Sequence, residues 1–298
     1  MPDKKVLIVH YSQSGQLTEI VDNFAAGFSA AAVEKIKVRM QKEFDFPWTN
    51  ERFFDAMPES VLGIPSALDS FQPKEESYDL IIFAYQPWFL SPSIPATSIL
   101  ANEEFRKRLK DTPIVTIIGA RNMWLNSQEK VKKILTDCGA HLVGNIALTD
   151  KNNNLVSAVT ILHWMLSGRK DSYLGIFPKP GIDDDLISGM DKFGKMVNES
   201  LHNNTWESLQ KNLVKEGAVE VKSNLMFIEA RAGKLFSIWA NLIIKKKNRR
   251  LWLIFYKYYL FIALFVIAPI VLTVYMLIFK PFLVASIRKR KNYYLGLQ

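Results

Sequence analysis

Short apolar runs alternate with amphipathic segments along most of the chain. The runs are four to eight residues long and rich in Val and Ile, which predicts buried β-strands. Between the runs, apolar residues recur at the spacing of one face of a helix. Alternating strands and helices predict an α/β fold with a parallel sheet covered on both faces. The five predicted strands are residues 6–9, 33–40, 78–85, 114–118 and 142–148.

The loop after the first strand combines hydroxyl groups with a glycine at the start of a helix. It contains Ser12 and Ser14, and the helix opens at Gly15, Gln16 and Leu17. Helix N-termini bind phosphate through free N–H groups and the helix dipole, and the serines add donors. Because the loop has no Lys or Arg, it suits a monophosphate such as that of flavin mononucleotide (FMN) better than a triphosphate. The alternative is an ordinary polar turn, since neither the triphosphate-loop pattern nor the dinucleotide pattern is present.

Residues 11–18, Tyr-Ser-Gln-Ser-Gly-Gln-Leu-Thr, resemble the FMN phosphate loop of the flavodoxin-like superfamily. Ser12, Ser14 and Gly15 match its T-x-T-G-x-T pattern, with serines in place of threonines. Leu17 stands where a threonine is usual, which removes one hydroxyl and is more like the quinone-reductase branch. The resemblance implies a doubly wound, five-stranded sheet in which the loops after strands one, three and four converge on FMN.

The loops after the third and fourth predicted strands carry side chains that suit a flavin. Aromatic side chains can form walls for its flat ring, and an arginine can stabilise the negative charge of the reduced flavin. Alternatively, the aromatic residues pack in the core and the arginine forms a surface ion pair. The candidate cofactor-binding residues in these loops are Pro87, Trp88, Phe89, Gly119, Arg121, Asn122 and Trp124.

An excursion over residues 150–182 precedes the last helix of the fold, which we predict near residues 185–202. We expect the excursion to cover the flavin, with His163 and Tyr173 as the acid–base candidates. The alternative for a lone histidine on an apolar helix is a packing role. The acidic residues 183–185 fit a helix cap better than a metal site, and no metal is predicted.

Residues 258–279 form an apolar stretch of 22 positions without a charge. At about 1.5 Å per residue, this helix is about 33 Å long and can cross a bilayer core of about 30 Å. Both ends carry basic and aromatic residues, as membrane segments do. A kink at Pro269 would instead return the chain as a re-entrant hairpin. We predict a flavodoxin-like domain over 1–205, a juxtamembrane amphipathic segment over 206–250 and a membrane anchor over 251–298.

The net charge of +9 is confined to the tail. Residues 245–298 hold 11 Lys or Arg and no Asp or Glu, which leaves 27 basic and 29 acidic residues before them. A nucleic-acid-binding protein usually spreads positive charge over a folded face, so this pattern indicates a membrane partner and no nucleic acid. Cys138, the single cysteine, excludes an internal disulfide. Without an apolar signal region at the N-terminus, we expect the main domain on the cytoplasmic side of the membrane.

The first loop, the later loops PWFLSP and GARNMW, and the basic membrane tail resemble a specific group. This group is the membrane-tailed, flavodoxin-like proteins of bacterial dialkylresorcinol and flexirubin-type pigment pathways, often called dialkylresorcinol condensing enzymes but better regarded as aromatases. The resemblance implies oxidation of a lipophilic dialkyl-cyclohexanedione to a dialkylresorcinol, with a partner ketosynthase that makes the carbon–carbon bonds. The alternatives are a membrane-bound NAD(P)H:quinone or flavin reductase and a non-enzymatic electron carrier. The sequence does not identify the electron acceptor. It also leaves open whether the chain forms a homo-oligomer.

Overall fold

A five-stranded parallel sheet forms the centre of the computed structural model, which describes residues 4–297. The strands are β1 (Lys4–His10), β2 (Ala31–Lys37), β3 (Leu80–Tyr85), β4 (Pro113–Ala120) and β5 (His141–Thr149). Their order is β2-β1-β3-β4-β5, and every neighbouring pair is parallel. This is the doubly wound, flavodoxin-like order, so the predicted fold class is confirmed.

Burial on both faces explains why the central strands appear as continuous apolar runs. Every residue of β3 is buried, and so is β1 from Val6 to its end. The edge strand β2 has no fully buried residue and ends at Lys37, three residues before its predicted end. Beyond it, Met40 forms an isolated bridge with Leu68.

Helices flank the sheet and continue past it. They are α1 (Gln16–Ala25), α2 (Asn50–Asp55), α3 (Met57–Leu62), α4 (Ile94–Ala101), α5 (Glu103–Lys107), α6 (Leu125–Asp137), α7 (Asn154–Ser167), α8 (Asp184–Ser188), α9 (Asp191–Asn203), α10 (Trp206–Lys215) and α11 (Ser223–Ile243). The single helix predicted over residues 185–202 is therefore two helices, α8 and α9. Helix α11 packs on α3 and α6, so it belongs to the folded body.

The folded domain extends beyond the predicted boundary at residue 205. Helix α10 packs on β5, and its Leu209 and Leu213 are buried beside Gly144. Farther along, Val219 forms a parallel bridge with β5. The boundary was placed too early because the amphipathic spacing of α10 is the same whether its apolar face meets a sheet or a membrane.

The tail is one long helical segment, Arg249–Leu295, that continues through Pro269. Among the described residues it is the one helix long and apolar enough to cross a membrane, with a mean hydropathy of 2.8 in its most apolar window. A π-helical segment, Ala263–Ile267, precedes the proline, which lacks an N–H and crowds the preceding turn. No hairpin forms at Pro269. The α-helical parts are α12 (Arg249–Ile262), α13 (Ala268–Val274) and α14 (Val284–Leu295).

Because α10 packs on the sheet, substitutions in its buried face should lower the stability of the fold. Leu213 is fully buried, so Leu213→Ala should lower the free energy of unfolding by about 2–5 kcal/mol through lost burial and a residual cavity. The neighbouring Lys211 is exposed, and Lys211→Ala should change it by no more than about 0.5 kcal/mol. Urea unfolding of the full chain in detergent measures both. Equal stability of the two variants would contradict the placement of α10 in the fold.

Candidate functional site

A cavity of about 920 Å³ lies where β1, β3 and β4 end. The loops after these strands form one side of it, and α7, α11 and the tail helix form the others. Its volume lies within the range of about 300–1,000 Å³ that is typical of small-molecule sites. The sequence-predicted residues that line it are Ser14, Gln16, Leu17, Pro87, Trp88, Phe89, Gly119 and Arg121.

The loop between β1 and α1 has the geometry of an anion site. Gly15 is the N-cap of α1, with φ 92°, a left-handed conformation that favours glycine, and no side chain caps the helix. The N–H groups of the first turn therefore lack a capping partner. The Ser12 hydroxyl is buried and has no hydrogen-bond partner within residues 4–297. An orphaned hydroxyl beside an uncapped helix start suits a bound phosphate.

Gln16 and Leu17 serve mainly to hold the loop in place. The Gln16 side chain donates to the Ile182 carbonyl at 3.2 Å and accepts from the Ile182 N–H at 3.3 Å. Leu17 is buried, and a Cβ added at Gly119 would lie 3.3 Å from its Cδ1. The aliphatic residue at the usual threonine position thus packs under the third loop, and a side chain at position 119 would crowd it.

The loop after β3 is a tight hairpin that presents Trp88 and Phe89 to the cavity. Its two turn residues, Phe89 and Leu90, have φ 48° and 61°, a region that non-glycine residues seldom adopt. Ser60 holds the hairpin by donating to the Trp88 carbonyl at 3.0 Å. The Trp88 ring packs edge-on against Trp48, with centroids 5.3 Å apart. Aromatic residues from the long segment before β3 therefore support this wall.

The loop after β4 contributes only part of what the sequence predicts. Arg121 lines the cavity and donates to the Asn154 carbonyl at 2.9 Å; burial lowers its pKa to about 10, so it is a cation at neutral pH. Asn122 and Trp124 are not among the residues that line the cavity, and neither are Ser12 and Gly15 of the anion loop. Asn122 donates to Asn154 at 2.9 Å, and Trp124, only 2% exposed, packs in the core because the chain turns inward to begin α6. Met123 lines the cavity instead.

Helix α7 forms one wall of the cavity, but His163 and Tyr173 lie outside it. The face of α7 that meets the cavity carries Ala158, Ile161, Leu162 and Met165. His163 lies on another face, where its Nε2 is 3.1 Å from Asp171 Oδ1 and its ring is 4.4 Å from that of Tyr173. The structure therefore does not bring His163 and Tyr173 together with the cavity, and their acid–base role stays a prediction. The 3.6-residue period puts positions 161 and 163 on different sides of the helix.

The wall formed by α11 and the tail helix was missed by the sequence reasoning. Ile228, Arg231 and Phe236 of α11 line the cavity, together with residues of the tail between Tyr259 and Val271. Among the described residues that line it, the ionisable side chains are Arg121, Arg231 and Tyr259. The lining is therefore apolar, and none of its described residues carries a carboxylate or an imidazole. Of the two arginines, Arg231 is exposed, and its guanidinium donates to the Phe227 carbonyl at 3.0 Å and lies over the Phe227 ring. Arg121 is therefore the cation that belongs to the cavity. The apolar stripe of α11 was the available signal, and it was assigned to a membrane interface.

Comparisons with known proteins identify no family. No family model matches the chain, and no curated protein does. Solved structures similar to it include a flavoprotein with FMN from Lactobacillus acidophilus, at 15% identity and a TM-score of 0.40, covering 48% of this chain and 93% of that one. An archaeal flavodoxin has 9% identity and a TM-score of 0.37, and the match covers 66% of this chain and 99% of the flavodoxin. A flavodoxin from Bacillus cereus has 15% identity and a TM-score of 0.32, and the match covers 64% of this chain and 94% of that flavodoxin. The strand order identifies the fold independently of these distant neighbours.

A buried histidine lies directly before the anion loop. His10 ends β1, and its Nε2 is 3.2 Å from Thr18 Oγ1 in the first turn of α1. Burial lowers the pKa of His10 from 6.5 to about 4, and the positive charge of Lys37 acts in the same direction. His10 is therefore neutral in the folded protein at neutral pH, whereas in the unfolded chain it takes up a proton below about pH 6.5.

This difference predicts a loss of stability in mild acid. The stabilisation from neutral His10 is complete above the unfolded pKa of 6.5 and falls by about 1.4 kcal/mol per pH unit as the pH drops toward the folded value of about 4. The free energy of unfolding, measured by urea at about pH 7 and about pH 5, should fall more for the wild type than for His10→Gln. Equal losses in the two proteins would contradict the prediction, because they would show that His10 has the same pKa in the folded and the unfolded protein.

Proposed function

We propose that this chain is an FMN-dependent oxidoreductase that acts on a lipophilic substrate at a membrane. The observation that carries the proposal is a cavity that extends from the anion loop of a flavodoxin-like sheet to an apolar wall formed by α11 and the tail helix. An anion loop alone fits many phosphate ligands. A flavodoxin-like loop that opens into an apolar chamber fits a flavin beside an oily substrate.

The donors of the anion loop and of the adjoining cavity together fit FMN. Ser12, Ser14 and the first turn of α1 would hold the phosphate by neutral donors. The hairpin with Trp88 and the loop with Arg121 would hold the flavin ring between them. When bound, FMN supplies two-electron oxidation by accepting a hydride. The cation of Arg121 would favour the negatively charged reduced form, which makes hydride removal from a substrate easier.

The substrate we propose is a dialkyl-cyclohexanedione that is oxidised to a dialkylresorcinol. This reaction removes one hydride and one proton from the ring, and tautomerisation then gives the aromatic product. A 1,3-dione is acidic between its carbonyl groups, so its anion needs a cation more than it needs a strong base. Arg121 would supply that charge, and none of the described residues that line the cavity carries a carboxylate or an imidazole. The alkyl chains would lie along the apolar wall, and a ketosynthase would supply the dione.

A quinone reductase is the second candidate. The apolar chamber that would take alkyl chains also suits a lipophilic quinone, and the same flavin would then transfer a hydride from NAD(P)H. A tethered electron carrier is less well supported, because a cavity of this volume beside the flavin loops has no role in simple electron transfer. For either enzyme we propose that the domain lies on the cytoplasmic side of the membrane.

If the chain binds FMN, substitution of Gly15 should change its flavin content. Purified protein should be yellow, and the released compound should have the mass of FMN. Gly15→Asp should abolish flavin binding because it places a carboxylate at the anion loop. Gly217→Asp is the matched control: both glycines have positive φ, 92° and 81°, and both leave open space for a side chain. A wild-type protein that stays colourless after reconstitution with FMN would contradict the proposal.

The reaction predicts a role for the charge of Arg121. In anaerobic single turnover with an alkylated cyclohexane-1,3-dione, the protein should form one resorcinol for each flavin reduced. Arg121→Gln should lower that rate by about 10²-fold while flavin stays bound, because the anion loses a fixed cation. Arg106→Gln is the control, since Arg106 also donates to a backbone carbonyl but does not line the cavity. Quinone reduction by NAD(P)H without dione oxidation would favour the reductase.

A further inference from the structure

The outward face of the tail helix is apolar along most of its length. Its most apolar window is only 6% buried. Side chains such as Phe255, Ile262, Val266, Ile270 and Leu277 are 50%, 56%, 51%, 58% and 74% exposed. A continuous apolar surface of this extent marks a site for a membrane or another apolar partner.

The inward face of the same helix is attached to the globular domain at both ends. At the start, Arg249 donates to Glu59 at 2.6 Å and to Asp55 at 2.7 Å. At the end, the Tyr293 hydroxyl donates to Glu129 of α6 at 2.7 Å. Beside it, the Leu295 carbonyl accepts a hydrogen bond from Gln210 of α10 at 2.9 Å.

The middle of the tail is attached as well. Tyr275 is 2% exposed and stacks on Phe227 of α11, with ring centroids 3.7 Å apart. A few residues later, Lys280 lies 3.4 Å from Asn224, also on α11. The helix therefore follows the domain surface and does not leave it between its two ends.

We propose that the tail docks on an anionic bilayer as a monotopic layer, with both of its basic flanks on the side of the globular domain. A spanning helix would place its ends on opposite sides of a hydrocarbon core about 30 Å thick. Both ends of this helix contact one polar domain, which cannot enter that core. The helix would instead lie within one leaflet, with its outward face among the acyl chains. The inference rests on the proposed membrane location and not on the flavin chemistry.

The basic residues at the two ends match one anionic surface. Within residues 4–297, the runs Lys245–Lys247 and Arg288–Lys291 take part in no salt bridge, whereas Arg249 and Arg250 pair with acidic residues of α2 and α3. Positive charge at both ends gives no direction to a spanning helix, but it fits a helix whose ends both face the same anionic headgroups.

The cavity opens on this same face. Leu235, Ile262 and Ile267 line the cavity and are also 45%, 56% and 51% exposed. With the outward face covered by acyl chains, an apolar ligand can pass between these residues from the bilayer into the cavity without crossing water.

Labelling from one side of the membrane tests the topology. In a Cys138→Ser background, single cysteines are introduced as Lys247→Cys and Lys289→Cys, with Lys211→Cys to mark the side of the domain. A membrane-impermeant maleimide is added to sealed vesicles of each orientation. We expect all three positions to be labelled from the same side. Labelling of Lys289→Cys from the side opposite to Lys211→Cys would overturn the proposal.

The wild-type chain provides a test that needs no variant. Trypsin added to the domain side of sealed vesicles should cut at both basic runs, which mass spectrometry of the fragments detects. Protection of the run Arg288–Lys291 alone would overturn the proposal. So would release of the protein by high salt as a soluble oligomer, since a second copy would then be covering the apolar face. Flavin content measured on the same samples tests the proposed cofactor separately.

Discussion

The carboxyl group of Glu229 joins the tail half of the molecule to the sheet half. It lies on α11, is 1% exposed and accepts a hydrogen bond at 2.8 Å from the N–H of Asn126 in the first turn of α6. Asn126 returns one from its side chain to the Glu229 carbonyl at 2.7 Å. Burial raises the pKa of Glu229 to about 8, although hydrogen bonds from backbone N–H groups lower it in part. At Gly233, a Cβ would lie 2.5 Å from the side-chain nitrogen of Asn126, so a larger residue there would displace the side chain that bonds the Glu229 carbonyl.

This contact has consequences for the whole cavity. Helix α6 directly follows the loop that carries Arg121, so fixing α11 on the start of α6 also fixes α11 against the third cavity loop. The tail helix in turn packs along α11 through Tyr275 and Phe227. The apolar wall therefore has a defined distance from the anion loop, although the two belong to segments more than two hundred residues apart in the sequence.

Local patterns predicted the sheet and the first loop, because both depend on neighbouring residues. A buried strand needs an apolar run, and a phosphate loop needs its donors within a few positions. The assignment of Trp124 and His163 depended instead on the direction of a side chain, which sequence does not contain. Trp124 turns into the core at the start of α6, and His163 turns away from the cavity on α7. The surface that α11 packs against could not be predicted either, since an apolar stripe on a helix suits a membrane and a protein core equally well.

The chemistry of the cavity follows from what its walls lack as much as from what they hold. Of the described residues in the lining, only two arginines and one tyrosine can ionise. Arg231 is exposed and held on Phe227, so a negative charge in a bound molecule would meet the cation of Arg121 in an apolar surrounding. Interactions of this kind are strong because little water competes with them. A substrate that is itself acidic and carries apolar chains matches both properties. On the proposed function, the helix that would hold the protein on a bilayer would also shape the chamber for its substrate, and the location of the protein would then be linked to its specificity.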